Sequence, residues 1–298
     1  MAKRQFHLAW FLSQGYGPKS WRGNWPGSAS DITRWMMPDL FTDLARGLER
    51  CCFDYLIIED SSMVPYTYQG SHDTYLRYAT TTPKLDPAVL VPYLAQATTY
   101  LGLVPTLSVT EYPPFLLARL INSLDHVTEG RVGWNCVTSS MTVRRKTTVM
   151  PSSRHTTNAY DLADEFADLV TKLWDAWEPD AVVLDRETPM FADGSKVHPV
   201  NHVGKYFRCR GPLNAPRSPQ GRPPICQAGG SSRGQDCCPL GRHDHHRCRQ
   251  CRGHERLSRG CAPAGHGRRA RPGFDQKCCF WRIRWSTRRW KRHGSGNA

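Results

Sequence analysis

The sequence predicts an α/β fold, a (β/α)8 TIM barrel carried to about its fifth strand and followed by a basic tail. Three observations lead there. Short apolar runs alternate with segments of helical spacing through the first 236 residues, the pattern of repeated parallel βα units. The apolar runs are largely continuous, as in strands buried on both faces. No GxGxxG turn follows any of them, which favours a barrel over a dinucleotide-binding sheet.

Taken in order, Phe6–Leu12 reads as a short strand, and Leu40, Leu44 and Leu48 give Trp35–Arg50 a helical stripe. Tyr55, Leu56, Ile57 and Ile58 follow one another inside Asp54–Glu59, a buried strand. The alternation continues with a helix over Pro87–Tyr100, a strand over Leu101–Val109, a helix over Pro114–Asp125, a strand over Arg131–Thr138 and a helix over Tyr160–Trp177. Pro114 suits the first turn of its helix, where a missing N–H costs nothing. Glu178–Arg222, with its prolines and glycines, reads as irregular, and Pro224–Ala228 is a last apolar run ending in Gly229, Gly230, Ser231 and Ser232.

Charge divides the chain at Asp236. Residues 1–236 hold 24 Lys and Arg against 23 Asp and Glu, whereas 237–298 hold 16 against 3 and so supply 13 of the 14 net positive charges. That tail carries seven of the twelve cysteines and only Leu240, Leu257 and Ile283 as aliphatic core formers, too few to fill a core. It is expected to be unstructured. The five remaining cysteines, Cys51, Cys52, Cys136, Cys209 and Cys226, have no regular spacing, so reduced thiols in a cytoplasmic protein are expected rather than a disulfide framework. The apolar run after Lys3 and Arg4 is too short for a secretory leader or a membrane span.

Five stretches carry a more specific signal: FHLAWFLS at 6–13, LERCCFDYLIIEDS at 48–61, LGLVPTLSVTEYPPFLLARLINSLDHVTEGRVGWNCVTSS at 101–140, YDLADEF at 160–166 and GPLNAPRSPQGRPPICQAGGSSRG at 211–234. Together they resemble the bacterial luciferase-like flavin-dependent monooxygenases, in the branch of the nitrilotriacetate and dibenzothiophene-sulfone monooxygenases and the pristinamycin synthase A subunit. The resemblance implies a barrel that binds reduced FMN at the C-terminal ends of its strands, with flavin delivered by a separate NAD(P)H:flavin reductase, O2 as co-substrate and a small organic substrate that receives one oxygen atom. It implies flavin contacts at Asp60, Thr106 and Tyr160, the last opening a helix, and a phosphate or ribityl contact at Ser231. Asn135 is a further strand-end polar residue. Read without the resemblance, Asp60 is a turn or cap residue, Thr106 a packed strand residue, Tyr160 a helix-start anchor and Ser231 a turn residue. A homo-oligomer is expected, with no membrane and no specific nucleic acid as partner.

The chain departs from the family between Ser140 and Tyr160, where an acidic loop ending in a histidine gives way to a basic, Ser/Thr-rich stretch. His155 stands one residue before that histidine's slot, and no catalytic acid, base or nucleophile is assigned. Codons can be chosen for Ser140–Ala159, Cys237–Gly260 and Asp275–Arg292 so that shifted frames restore the family loop, a helix–strand pattern and an apolar strand. A reading frame disturbed by small insertions or deletions is therefore expected, and with it an open half-barrel that is poorly stable and inactive. A different class of function also stands open: a non-enzymatic basic protein whose tail binds zinc through Cys248, Cys251 and neighbouring histidines, or nucleic acid through arginines and Trp281, Trp285 and Trp290.

Overall fold

A computed structural model of the chain describes residues 7–12, 37–79, 81–138 and 156–227, and for 156–160 the backbone alone. Its described elements are β1 (Ala9–Leu12), α1 (Asp39–Arg50), β2 (Tyr55–Ile58), α2 (Asp73–Arg77), α3 (Pro87–Ala97), β3 (Gly102–Ser108), α4 (Pro114–Val127), β4 (Trp134–Val137), α5 (Thr156–Trp174), β5 (Val182–Asp185), β6 (Met190–Ala192), a 3-10 turn (Gly194–Lys196), β7 (His202–Val203), β8 (Arg208–Cys209) and β9 (Ile225–Cys226).

Five of the strands form one parallel sheet in the order β1-β2-β3-β4-β9. Ala9 stands beside Tyr55 and Tyr55 beside Gly102, and further along Thr106 stands beside Asn135 and Asn135 beside Cys226. Because successive side chains of a strand point to opposite faces, this register sorts the sheet into two surfaces. Leu56, Ile58, Leu103, Leu107, Trp134 and Cys136 lie in the large core with Ala45 and Leu48 of α1, Leu90 and Leu94 of α3, Leu117 and Ile121 of α4, and Phe166 and Leu173 of α5. Tyr55, Val104 and Cys226 form a separate cluster on the other face, with Ala9 and Ile57 against it. Strands in sequence order with helices on one side make the wall of a barrel; a doubly wound sheet reverses its strand order and covers both faces.

The helices begin and end where local chemistry directs. Asp86 caps α3, its Oδ1 accepting the Ala88 N–H at 2.8 Å, with Pro87 in the first turn. Extended backbone at Thr98 ends α3 three residues before the strand, short of the predicted Tyr100. In α4 the buried residues Pro114, Leu117, Ala118, Ile121, Leu124 and Asp125 recur at helical spacing. Helix α5 runs from Thr156 to Trp174, starting and ending earlier than expected, so Tyr160 is its fifth residue rather than its first.

The N-terminal ends of the strands are tied for stability. One Glu49 carboxylate accepts the N–H groups of Thr99, Tyr100 and Leu101 at 2.6–3.1 Å. The Arg131 guanidinium, half-buried, reaches Ala95 O, Leu101 O, Thr128 O and Thr98 Oγ1. Gly133 runs so close to Pro224 O and Val104 Cγ2 that a Cβ would stand 3.2 Å from each, and its absence lets β4 pack between β3 and β9.

Glu178–Arg222 is more ordered than the sequence reading allowed. It holds two antiparallel hairpins, β5–β6 and β7–β8. The Glu165 carboxylate of α5 accepts the Tyr206 and Phe207 N–H groups and faces His202 Nε2 at 3.2 Å, which fixes β7–β8 to that helix. Burial pushes the Glu165 carboxyl up, but these donors outweigh it and leave it below the ordinary range. Asp125, fully buried, accepts the Gln220 backbone N–H and Nε2, holding the segment that leads into β9.

No described helix is long and apolar enough to cross a membrane. Residues 139–155 and 228–298 lie outside the described residues, and with them Ser231, the tail and its suggested zinc and nucleic-acid contacts, and the stretches on which the frame reading rests except 156–159, which open α5.

Candidate active site at the C-terminal ends of the strands

In a parallel barrel wall, residues at the C-terminal ends of the strands and in the loops after them face the site, whereas the opposite end serves stability. Two of the four expected residues fall there. Asp60 follows β2 by two residues, and its Oδ1 accepts the Ser61 N–H at 2.7 Å. Burial pushes the Asp60 carboxyl up to about 6; the Ser61 N–H opposes the shift, and the neighbouring Glu111 adds to it. Thr106 lies in β3, buried, and its Oγ1 accepts from Asn135 Nδ2 of β4 at 2.8 Å. Tyr160 lies in α5 with its side chain outside the description, and Ser231 is not among the described residues.

The Thr106–Asn135 pair and Cys226 stand side by side on the surface that carries Val104 and Ile57. An apolar floor with a hydrogen-bonding edge suits a flat heteroaromatic ring. Burial pushes the Cys226 thiol up to about 12, so it stays protonated at neutral pH and is no thiolate nucleophile. Among the described residues no group of three His, Cys, Asp or Glu side chains could hold a metal ion.

Around Asp60 the structure gathers groups that the sequence reading did not select. Lys84 Nζ contacts Glu59 Oε1 at 3.0 Å with its side chain only 4% exposed. Tyr112 donates its hydroxyl to Asp86 Oδ2 at 2.5 Å, and burial together with that bond raises its phenol far above the ordinary value. Ser62 donates to Glu111 Oε1. Glu111 and Tyr112 sit in the loop directly after β3, so barrel topology alone could have marked them; Lys84 and Asp86 come 26 and 28 positions after Ile58, and nothing in their local sequence signals the site.

Comparison with known proteins follows the same lines. The model of the family described as luciferase-like monooxygenase matches residues 21–236. The dibenzothiophene-sulfone monooxygenase of Rhodococcus erythropolis (strain XP) is 40% identical over 237 residues, covering 78% of this chain and 51% of that protein. The crystal structure of a long-chain alkane monooxygenase superposes with a TM-score of 0.71 at 36% identity, covering 78% of this chain and 54% of that one. A riboflavin lyase solved with modified FMN and riboflavin gives 0.68 at 32% identity, over 87% of this chain and 60% of the other. The chain thus spans about half the length of the curated relative it matches.

Proposed function

Because the chain belongs to the luciferase-like monooxygenase family, we propose that its strand ends hold reduced FMN and serve a monooxygenase that places one oxygen atom from O2 into a small organic substrate. The observation that carries this reading is the Thr106–Asn135 pair, bonded across adjoining strands on the face that carries the apolar Ile57 and Val104, with Asp60 in the loop after the neighbouring strand β2. The residues fit the group. Ile57 and Val104 offer a surface for the ring, and Thr106 and Asn135 offer a hydroxyl and an amide for its polar edge. Asp60 accepts when ionised and donates when protonated, and its carboxyl titrates within the working pH range. Tyr160 and Ser231 complete the proposed contacts, the latter on the ribityl or phosphate end.

Bound reduced flavin supplies the electrons that activate O2, delivered by a separate NAD(P)H:flavin reductase. The protein's part is placement and exclusion of water. Apolar side chains on the floor keep the pocket dry, and because Asn135 Nδ2 donates to Thr106 Oγ1, the Thr106 hydroxyl keeps its own hydrogen to donate to a ligand.

The test is a titration of the 298-residue chain with FMN, followed by fluorescence, beside Thr106→Val and Asp60→Asn. Thr106→Val keeps the shape but removes the hydroxyl, and with it the bond from Asn135 and the proposed bond to flavin, and roughly a tenfold rise in Kd is expected. Saturable binding that both substitutions leave unchanged would place the flavin elsewhere. Oxygen consumption with added reductase, NADH and candidate substrates then reads turnover.

A further inference from the structure

The loops that follow β2 and β3 are joined by side-chain bonds around Asp60. Tyr112, after β3, donates to Asp86 Oδ2, while Oδ1 of the same carboxylate caps α3 through Ala88 N–H. Ser62, after β2, donates to Glu111 Oε1, and Glu59 holds the Lys84 ammonium. The charged groups facing Asp60 are therefore Glu111 from the β3–α4 loop and Lys84 and Asp86 from the segment entering α3, with Glu59 beside it in the chain. The flavin reading uses Asp60 and Thr106 and leaves the Tyr112–Asp86 bond without a role.

We propose that Tyr112 is a positioning residue of this site: through Asp86 it fastens the β3–α4 loop to the start of α3, and so keeps water away from Asp60 and holds the Glu111 and Asp86 carboxylates beside it. A phenol donating to an ionised carboxylate makes a charge-assisted bond, stronger and more directional than a neutral one. Among the described residues it is also the hydrogen bond by which the Asp86 side chain reaches beyond its own helix. Without it the loop is held less firmly to the start of α3, solvent enters, and the two influences that favour protonated Asp60, burial and like charge, both weaken. The consequence for ligand affinity rests on the flavin reading; the consequence for Asp60 itself does not.

Carbon-13 NMR of the side-chain carboxyls in the unliganded chain tests it, with Asp60→Asn assigning the signal. In Tyr112→Phe the Asp60 midpoint should fall by roughly half a pH unit or more, and hydrogen exchange of the amides at 109–112 should accelerate. Asp86→Ser keeps a helix cap but cannot reach the phenol. In that background Tyr112→Phe should shift the midpoint no further, the non-additivity expected of two ends of one bond. A Tyr112→Phe midpoint unchanged in the wild-type background, or shifts that add fully, would overturn the proposal. Where FMN binds, Tyr112→Phe should raise its Kd by about fivefold at pH 7. If wild-type protein fails to bind FMN while the midpoint shifts as stated, the positioning role holds and the flavin reading falls.

Discussion

A carboxyl raised to about 6 by burial leaves a signature in stability. Asp60 in the folded chain keeps its proton to a higher pH than in the unfolded chain, so the native state binds more protons between the two values and stability declines as pH rises through that window. The group favours folding fully below about pH 4 and works against it above about pH 6. Asp60→Asn removes the titration and keeps a polar group of the same shape. It is expected to stabilise the chain at pH 8 and to leave it little changed at pH 4, read as a shift in urea midpoint at constant m-value. A shift of equal size at both pH values would mean that folding leaves the Asp60 carboxyl at its ordinary value. The residues of the strand ends were legible to different degrees. Asp60 and Thr106 were selected by the resemblance, whose matches over 48–61 and 101–140 run through them and through Asn135; from the residues alone they read as a turn or cap residue and a packed strand residue. Lys84 and Asp86 were not, because only the return of the chain after α2 brings them to the strand that closes at 58, whereas Tyr112 lies in the loop directly after β3, where barrel topology could have marked it.

Elements show a similar division between what periodicity reveals and what only packing decides. Strands β2 and β3 carry continuous apolar runs, and the structure buries every residue of β3, as such runs require. The hairpins between Trp177 and Arg222 left no such trace. Their strands are two to four residues long and largely exposed, too short to show a period, and the apolar residues of β5 and β6 face outward. What holds β7–β8 is α5. Phe166 lies fully buried there, its ring centroid 5.8 Å from Trp134 of β4 and 5.6 Å, edge to face, from Phe207 between β7 and β8. Phe166→Ala removes the ring on which sheet and hairpin both rest, and a loss of about 3–5 kcal/mol is expected from burial and cavity terms together. Asp125→Ala acts at another joint. It leaves the half-buried Gln220 N–H without its acceptor and the side-chain amide with Val132 O alone, with an expected cost of about 1–3 kcal/mol. Since Phe166 packs on Trp134 and Phe207 whereas Asp125 binds Gln220, the double substitution should come close to the sum, and denaturation midpoints of the three variants check it.

At the scale of the molecule, the fold and the charge belong to different parts of the chain. The barrel wall is built from residues whose charges almost cancel, while 237–298 contribute 13 of the 14 net positive charges without a run of core-forming side chains. A flavin site and a polyanion-binding property can therefore be measured separately. Duplex DNA offers phosphates to this arginine-rich stretch, and each phosphate neutralised releases a counterion, so the logarithm of the binding constant should fall linearly with the logarithm of salt concentration. Contacts of that kind carry no base information. Random duplexes of equal length are expected to bind equally, and binding is expected to fall by at least about a thousandfold between 50 and 200 mM salt if six or more phosphates are contacted. Saturating FMN should leave those isotherms unchanged, because no charge in the proposed flavin site belongs to the basic stretch. A strong preference for one sequence, or binding that survives high salt, would show instead that the tail reads nucleic acid specifically, and the function of the chain would then lie with its last sixty-two residues rather than with its strand ends.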